Sequence, residues 1–257
     1  MTREIRARDP LLFWAGASML LGLVVVTLIS IGDQRVVLGV STWLKPMKFL
    51  TSIAIFLWTT AWFMPDTESR PVQRAIVRWT IVTAMLIEIA LIIMQAARGT
   101  TSHFNQGTAF DAAVFSVMGM AITISTLAMM LFLWIVRRDT PSARAGYLWG
   151  VRLGLTLFIL ASWQGFAIVV NGAHTVPPPD GGPGLPLVNW STTAGDLRTV
   201  HFFGMHALQA LPVIGFLADR TGVLPAKPIV LMAAALWALV VLGLFIVAAR
   251  GHPLIAL

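Results

Sequence analysis

The strongest constraint in this sequence is a series of long apolar runs separated by short basic segments. Each run is about as long as the roughly 20 residues that a helix needs to cross a hydrocarbon core. Seven such runs cover residues 11–31, 44–64, 75–97, 109–136, 147–171, 199–218 and 228–249. Since lipid cannot satisfy backbone polar groups, such runs form helices. The chain is therefore predicted to be an all-α, polytopic membrane bundle with about seven transmembrane helices in a single transmembrane domain, residues 1–257.

Composition supports a membrane domain and excludes several chemistries. Hydrophobic residues make up 57% of the chain and charged residues 11%, whereas a soluble domain carries about 25% charged residues. The chain has no cysteine, which excludes disulfides, thiolate catalysis, iron–sulfur clusters and cysteine-based zinc sites. The net charge of +7 does not indicate nucleic acid, because the basic residues lie between apolar runs and form no aromatic-interleaved stripe.

The basic residues predict the orientation of the helices. With a cytoplasmic N-terminus, inner segments hold 12 of the 18 basic residues, as the positive-inside rule requires. These inner residues are Arg3, Arg6, Arg8, Arg70, Arg74, Arg78, Arg137, Arg138, Arg144, Arg152, Arg220 and Lys227. The sequence thus predicts a multi-pass protein of a bacterial inner (cytoplasmic) membrane with its C-terminus outside.

One connection is long and irregular. Residues 173–197 join the fifth and sixth runs on the predicted outer side and contain the sequence Pro-Pro-Pro-Asp-Gly-Gly-Pro-Gly. Such a run breaks helices and strands, and a long loop of this kind is either a disordered excursion or a lid over a site. Because apolar residues such as Leu185 and Trp190 lie within it, we expect a lid that packs on the helices.

The third run carries polar residues inside the predicted membrane. Glu88, Gln95 and Arg98 are seven and three residues apart and so share one helix face. Glu88 lies near mid-membrane, where a carboxyl group must be protonated or paired. Glu88 is therefore either functional or bonded to a neighbouring helix.

Two neighbouring outer segments add cations, an imidazole and an amide. The loop after the third run contains His103 and Asn105, and Asp111 then follows Thr108 at the spacing of a helix cap. The second helix opens with Lys45 and Lys48. A helix N-terminus repels cations, so these lysines reach lipid phosphates or, for Lys48, a specific anion such as Glu88, Asp196 or a ligand.

The sixth run is the most polar. It contains Asp196, Arg198, His201, His206 and Gln209. The two histidines are five residues apart and point roughly 140° away from each other on a regular helix, so they are not expected to bind one ion together. Arg198 and Gln209 point almost the same way, which predicts a polar arc facing the bundle.

Two resemblances follow from these residues. The segments 95–105 and 195–212 resemble those of a family of uncharacterised bacterial seven-helix membrane proteins, which implies the fold but no activity. Ser102, His103, Asp111, His201 and His206 resemble the Ser, Asp and three His of seven-helix membrane hydrolases of the alkaline ceramidase and adiponectin receptor type. That resemblance implies a zinc site with His103, His201 and His206 as candidate ligands, although the family spacing is His-x-x-x-His and here one residue more separates the pair.

The first functional hypothesis is an outer-face polar pocket for a lipid or small anionic ligand, in which the protein could be a metal-assisted hydrolase. Intramembrane ionisable residues are functional candidates by default. The candidate catalytic residues are Glu88, His103, His201 and His206. The candidate ligand-binding residues are Lys45, Lys48, Gln95, Arg98, Asn105, Asp196, Arg198 and Gln209.

Three alternatives stay open at this point. His201 and His206, with His103, are candidate axial ligands of haem b in a protein that transfers electrons with quinone. Glu88 could relay protons in an ion-coupled transporter. The polar residues could instead bond helices together in a structural subunit. The lipid bilayer is the one partner that the sequence predicts, and the oligomeric state is left open.

Overall fold

The computed structural model describes residues 2–67, 70–139, 145–222 and 224–257. The chain forms two compact units, Met1–Phe132 and Leu133–Leu257. Arg144, counted above among the inner basic residues, lies outside the described residues. The fold is all-α apart from two short two-stranded pairings, as predicted.

The first unit contains the N-terminal helices. Its elements are α1 (Thr2–Arg8), α2 (Pro10–Gly32), β1 (Val36–Val37), β2 (Val40–Ser41), α3 (Leu44–Phe63), a 3-10 turn (Met64–Thr67), α4 (Pro71–Ala97) and the greater part of α5 (Ala109–Asp139). The strands β1 and β2 pair antiparallel. The carboxylate of Asp9 accepts a hydrogen bond from the backbone N–H of Leu12 at 3.1 Å, and with Pro10 at the first position this cap starts α2.

Side-chain contacts fix the directions of the helices in this unit. Asp9, before α2, lies against Arg74 and Arg78 in the first turns of α4, so α2 and α4 begin at the same end. The hydroxyl of Thr42, just before α3, donates to the carbonyl oxygen of Ala96 at the end of α4 at 3.0 Å. Helix α3 therefore runs antiparallel to both.

The second unit contains the end of α5, then α6 (Ala145–Asn171), β3 (Thr175–Val176), β4 (Gly195–Asp196), α7 (Leu197–Thr221) and α8 (Ala226–Ala249). The strands β3 and β4 pair antiparallel, with Thr175 opposite Asp196. Helix α7 ends at Gly222, whose φ of +61° allows the left-handed cap that closes the last turn.

Among the residues that the structure describes, six helices are long and apolar enough to cross a membrane: α2, α4, α5, α6, α7 and α8. They expose large apolar side chains, such as Leu28, Leu236 and Met232, and a water-soluble protein rarely exposes so many together. These helices place the chain in a lipid bilayer as a multi-pass protein. The predicted span at residues 44–64 is a helix, α3, but it is not one of the six, since Lys45, Lys48 and its threonines lower its hydropathy.

Candidate functional site

The predicted site residues divide between the two units. Glu88, Gln95 and Arg98 lie in or at the end of α4, and His103 and Asn105 lie in the loop that follows it. Lys45 and Lys48 lie in the first turns of α3. Asp196, Arg198, His201, His206 and Gln209 belong to the second unit, at or after the start of α7. The expectation that all of these residues share one pocket stays a prediction.

Arg98 and Gln95 meet at the carboxylate of Asp111, in the first turn of α5. Arg98 Nη1 donates to Gln95 Oε1 and to Asp111 Oδ1, and Gln95 Nε2 donates to the same Asp111 oxygen at 2.9 Å. The Thr108 hydroxyl donates to Asp111 Oδ2 at 2.7 Å and accepts from the Asp111 backbone N–H at 3.1 Å. The Thr108 hydroxyl thus caps the Asp111 N–H at the predicted spacing, while the Asp111 carboxylate binds that hydroxyl. The role of Asp111 as the counter-ion of Arg98 was missed.

Glu88 and His103 form a second pair deeper in the same unit. The carboxyl group of Glu88 is 2% exposed, and its Oε1 lies 3.9 Å from His103 Nε2. On the other side of the imidazole, the Ser102 hydroxyl lies 3.2 Å from Nδ1. Within the part of the chain that the structure describes, Glu88 Oε2 has no hydrogen-bond partner. The carboxyl group is thus buried, close to an imidazole and incompletely satisfied.

Lysine and aromatic side chains surround this pair. Lys45 interacts electrostatically with Glu88, so one of the two lysines at the start of α3 acts on the carboxyl group. The specific anion expected for Lys48, which was Glu88, Asp196 or a ligand, stays a prediction. The rings of Phe49, Phe104 and Phe115 lie with centroids 5.9–6.2 Å from the His103 imidazole. Phe104 has a φ of +57°, and such backbone strain clusters at ligand sites. The amphipathic wall suits a ligand with an apolar body and a polar head.

Asn105 holds the loop that carries His103. Its side-chain amide donates to the Thr100 hydroxyl at 2.9 Å and to the Thr101 carbonyl oxygen at 3.1 Å, and its own oxygen accepts from the Gly107 N–H at 3.1 Å. These bonds span both flanks of His103. Asn105 therefore positions the imidazole, because its amide already has three partners within the loop.

In the second unit, Asp196 and Arg198 tie the long loop to the start of α7. The carboxylate of Asp196 is 1% exposed, caps α7 at the Arg198 N–H and accepts from the Ser191 N–H at 2.8 Å. Arg198 forms a two-bonded ion pair with the same carboxylate, at 2.9 and 2.6 Å, and also donates to the Asn189 carbonyl oxygen. Both charges are balanced locally, as the charges of Arg98 and Asp111 are in the first unit.

The three other predicted residues of α7 have separate partners. His201 Nδ1 donates to the carbonyl oxygen of Ala161 in α6 at 2.9 Å. His206 Nδ1 lies 3.2 Å from the side-chain oxygen of Gln209, and its ring lies 4.3 Å from that of Phe202. His201 therefore bonds two helices together, whereas His206 and Gln209 bond within one.

The long loop contains an aspartate that sequence reasoning missed. Asp180 accepts from the backbone N–H groups of His174 at 2.8 Å and Thr175 at 3.0 Å, and it pairs with the His174 imidazole. Burial raises the pKa of Asp180, but the His174 side chain and these backbone donors outweigh it and hold the pKa at about 2. The sequence carried no signal for these bonds, because the donors lie five and six residues before Asp180, whereas the usual turn of an aspartate binds the N–H two residues after it.

The apolar residues of this loop were expected to pack on the helices, and Trp190 does so. The Trp190 ring packs on Phe202 and Phe203 of α7, with centroid distances of 5.3 and 6.2 Å. Leu187, by contrast, is 79% exposed. The loop is thus anchored on α7 through Trp190, and its role as a lid stays a prediction.

Metal ligands do not gather in the described residues: no group of three or more His, Asp and Glu side chains there could hold an ion. The pairs Glu88–His103 and His174–Asp180 offer two ligands each, while a catalytic zinc has three protein ligands. Comparisons with protein-family models, with curated proteins and with solved structures found no match.

Proposed function

We propose that the chain is a seven-span protein of a bacterial inner membrane, with its N-terminus in the cytoplasm and its C-terminus outside. Six helices have the required length and hydropathy. Helix α3 adds a seventh because it has 20 residues and runs antiparallel to α2 and α4, so the chain returns across the bilayer between them. The bias of basic residues supports the orientation.

Labelling of single-cysteine variants tests this topology. Because the wild-type chain has no cysteine, each variant can be labelled at one position only. Gln106→Cys lies after α4 and Thr221→Cys near the end of α7, and both positions are exposed. In intact cells, a membrane-impermeant maleimide should label Gln106→Cys and should label Thr221→Cys only after permeabilisation. The reverse pattern would contradict the proposal, because it requires either an N-terminus outside the cell or an α3 that does not cross.

We further propose that the protein binds an anionic, lipid-like ligand near the outer face and exchanges a proton with it through Glu88 and His103. One observation carries this proposal: a carboxyl group buried in an apolar span lies 3.9 Å from an imidazole and has an oxygen without a partner in the described structure. Burial of such a group inside a membrane costs free energy, and an intramembrane ionisable residue is therefore a functional candidate by default. A separation above hydrogen-bond distance leaves room for a bridging polar atom.

The charges near this pair support an anionic ligand. Lys45 lies close enough to act on Glu88 electrostatically, and it would balance a phosphate or carboxylate head once Glu88 holds a proton. Arg98 and Arg198 are not needed as anion ligands, since each already has a carboxylate partner. In this proposal the two arginines position loops, and Phe49, Phe104 and Phe115 contact the apolar body of the ligand.

Infrared difference spectroscopy tests the proton exchange directly. Addition of decyl phosphate to the purified protein should change the carboxyl band of Glu88, which Glu88→Gln identifies by removing it. His103→Gln should abolish the response to the probe, whereas His252→Gln, at an exposed histidine outside the helices, should leave it intact. The proposal would be refuted if decyl phosphate left the wild-type carboxyl band unchanged, or if the band still changed in His103→Gln.

A second candidate function, lipid hydrolysis, is favoured by Ser102. Its hydroxyl lies 3.2 Å from His103 Nδ1, while Glu88 lies beyond Nε2. This order of hydroxyl, imidazole and carboxyl group is that of a nucleophile, its base and the group that orients the base. His103 would accept the Ser102 proton as the oxygen attacks an ester or amide carbonyl, and would return it to the leaving group.

A long-chain fluorophosphonate, which reacts with activated serines, tests the hydrolase. Wild-type protein should be labelled, Ser102→Ala should not, and His103→Gln should be labelled more slowly. Ser116→Ala removes an exposed serine of α5 and should be labelled as wild type. Absence of labelling at Ser102 would discard hydrolysis while leaving the binding proposal to the infrared experiment.

A further inference from the structure

An apolar groove runs between α2 and α4 in the first unit. It has a volume of about 520 Å³, within the roughly 300–1,000 Å³ typical of ligand pockets. Its walls include Leu11, Trp14 and Ser18 of α2 and Trp79, Val82 and Leu86 of α4. Its one hydroxyl, that of Ser18, already donates to the Ala15 carbonyl oxygen at 2.8 Å. The groove is therefore apolar, its hydroxyl is already bonded, and it opens towards the lipid.

A cluster of charged residues lies where the two helices begin. The carboxylate of Asp9 is fully buried, and Arg74 Nη2 and Arg78 Nη1 lie 3.5 and 3.1 Å from the same oxygen of it. Two guanidinium groups thus share one negative charge. Arg8, at the end of α1, is paired with Glu4 at 2.9 Å.

Arg74 and Arg78, which share the carboxylate of Asp9, can each bind a further acceptor. Their side chains are 20% and 29% exposed, so an acceptor outside the bundle can reach part of each guanidinium group. The Nε atom of each is buried and has no acceptor among the residues that the structure describes. Arg74 also donates to the backbone carbonyl oxygen of Arg8 at 3.0 Å, which adds no negative charge. The cluster of Asp9, Arg74 and Arg78 therefore carries an excess of one positive charge at the mouth of the bundle.

The oily groove and the charge cluster are continuous in sequence and in space. Pro10 of the groove follows Asp9, and Trp79 of the groove follows Arg78. A soluble anion would neutralise the cluster but leave the groove open. A neutral amphiphile would fill the groove but leave the charge unbalanced. A single molecule that combines an acyl chain with an anionic head satisfies both.

We propose that this site binds one anionic phospholipid of the surrounding leaflet. One acyl chain lies along the groove between Trp14 and Trp79, and the phosphate oxygens accept hydrogen bonds from the guanidinium groups of Arg74 and Arg78. Basic pockets between transmembrane helices recognise phospholipid heads in this way. Its arginines lie in the first turns of α4, whereas Glu88 lies in the second half of that helix, so the proposal does not rest on the function proposed above.

Native mass spectrometry of the full chain in mild detergent, titrated with phosphatidylglycerol or with phosphatidylcholine of the same chains, tests the site. We expect one phosphatidylglycerol molecule to bind per chain, and phosphatidylcholine to bind with clearly lower affinity. Arg74→Gln and Arg78→Gln should each lower the affinity for phosphatidylglycerol about fivefold, and the double variant should lower it about 30-fold. Each interfacial arginine contributes about 1 kcal/mol to binding. A matched control, Arg3→Gln with Arg6→Gln, removes the same charge from exposed positions of α1 and should change the affinity less than twofold.

A second variant keeps every charge and guards against misfolding of the first. Ala15→Leu with Ser18→Leu fills the groove while leaving Asp9, Arg74 and Arg78 untouched, and it should abolish the retained lipid with an unchanged helical circular dichroism spectrum. Equal binding of the two lipids, wild-type affinity in the double arginine variant, or retention by the filled groove would overturn the proposal. Displacement of the lipid by inorganic phosphate alone, or a lipid-free dimer, would overturn it as well.

Discussion

Gly150 of α6 lies against Leu211 of α7 so closely that a Cβ atom on the glycine would stand 2.4 Å from the Leu211 carbonyl oxygen. Gly146 and Gly154, one turn away on either side, face α7 in the same way, at 2.7 Å from the Gly215 oxygen and 2.8 Å from the Ala207 oxygen. Small residues at four-residue spacing let transmembrane helices approach backbone to backbone. This seam holds α6 and α7 together.

The seam predicts that Gly150→Ala destabilises the protein. The added methyl group must push the α7 backbone away, and overpacking of this kind costs about 1–3 kcal/mol. Thermal unfolding in detergent, followed by the circular dichroism of the helices, should show a lower Tm than wild type.

Gly243 of α8 provides the matched control. In the described structure, no atom outside its own helix lies within 4 Å of the position that its Cβ would occupy. Gly243→Ala should therefore raise stability by about 0.5–1 kcal/mol, the ordinary gain of alanine over glycine in a helix. Equal shifts of Tm in the two variants would contradict the seam, because the sign of the change depends on the contact.

The ion pair of Arg98 and Asp111 leads to a second prediction. Asp111→Asn should lower the Tm, because it weakens the acceptor that serves Arg98, Gln95 and Thr108 at once. In the double variant with Arg98→Gln, the loss should be smaller than the sum of the two single losses, since both substitutions disrupt one network. Glu4→Gln removes an exposed pair with Arg8 and should change the Tm little. Additive losses would show that Arg98 and Asp111 act separately.

The helices were predictable, and the side-chain pairings were not. The run at residues 109–136 became α5, Ala109–Asp139, and the run at 228–249 became α8, Ala226–Ala249, because length and hydropathy determine a membrane helix by themselves. By contrast, the approach of Lys45 to Glu88 depends on how α3 is rotated against α4. Periodicity within one helix does not contain that rotation.

Two features could have been found in the sequence with the right rule. Gly146, Gly150 and Gly154 are spaced at four residues, and this repeat predicts a close helix pair. The grouping of Asp9 with Arg74 and Arg78 needed only the topology, since α2 and α4 begin on the same side of the membrane. The contact of Asp180 with His174 depends instead on the path of an irregular loop, for which no periodic rule exists.

The long loop should lose its anchorage in acid. The pKa of Asp180 is lowered from 3.8 to about 2 in the folded protein, so its contribution to stability is complete above about pH 4 and is lost as the pH falls towards 2. The protection factors of the His174 and Thr175 amides, which correct for the pH dependence of intrinsic exchange, should fall as the pH drops through that window. In Asp180→Asn they should be low at every pH. Wild-type protection factors that stay constant across the window would contradict the role of the carboxylate.

Glu88→Leu separates a functional carboxyl group from a structural one. The Glu88 side chain is buried, yet one oxygen has no partner in the described structure and the other lies beyond hydrogen-bond distance of His103. An apolar side chain of similar size should therefore raise the stability by about 1 kcal/mol, because Lys45 is only half-buried and its flexible stem can carry the ammonium group to water. Decyl phosphate should no longer alter the infrared spectrum.

Gln95→Leu, seven residues further along α4, supplies the opposite case. Gln95 is fully buried but has both amide atoms bonded, to Asp111 and to Arg98, so its replacement should lower the stability by about 1–3 kcal/mol. If Glu88→Leu also lowered the Tm by that amount, Glu88 would be a structural bond between helices, and the case for a ligand site would lose its main support. A rise in Tm accompanied by loss of the probe response is the outcome expected of a residue kept for function at the expense of stability.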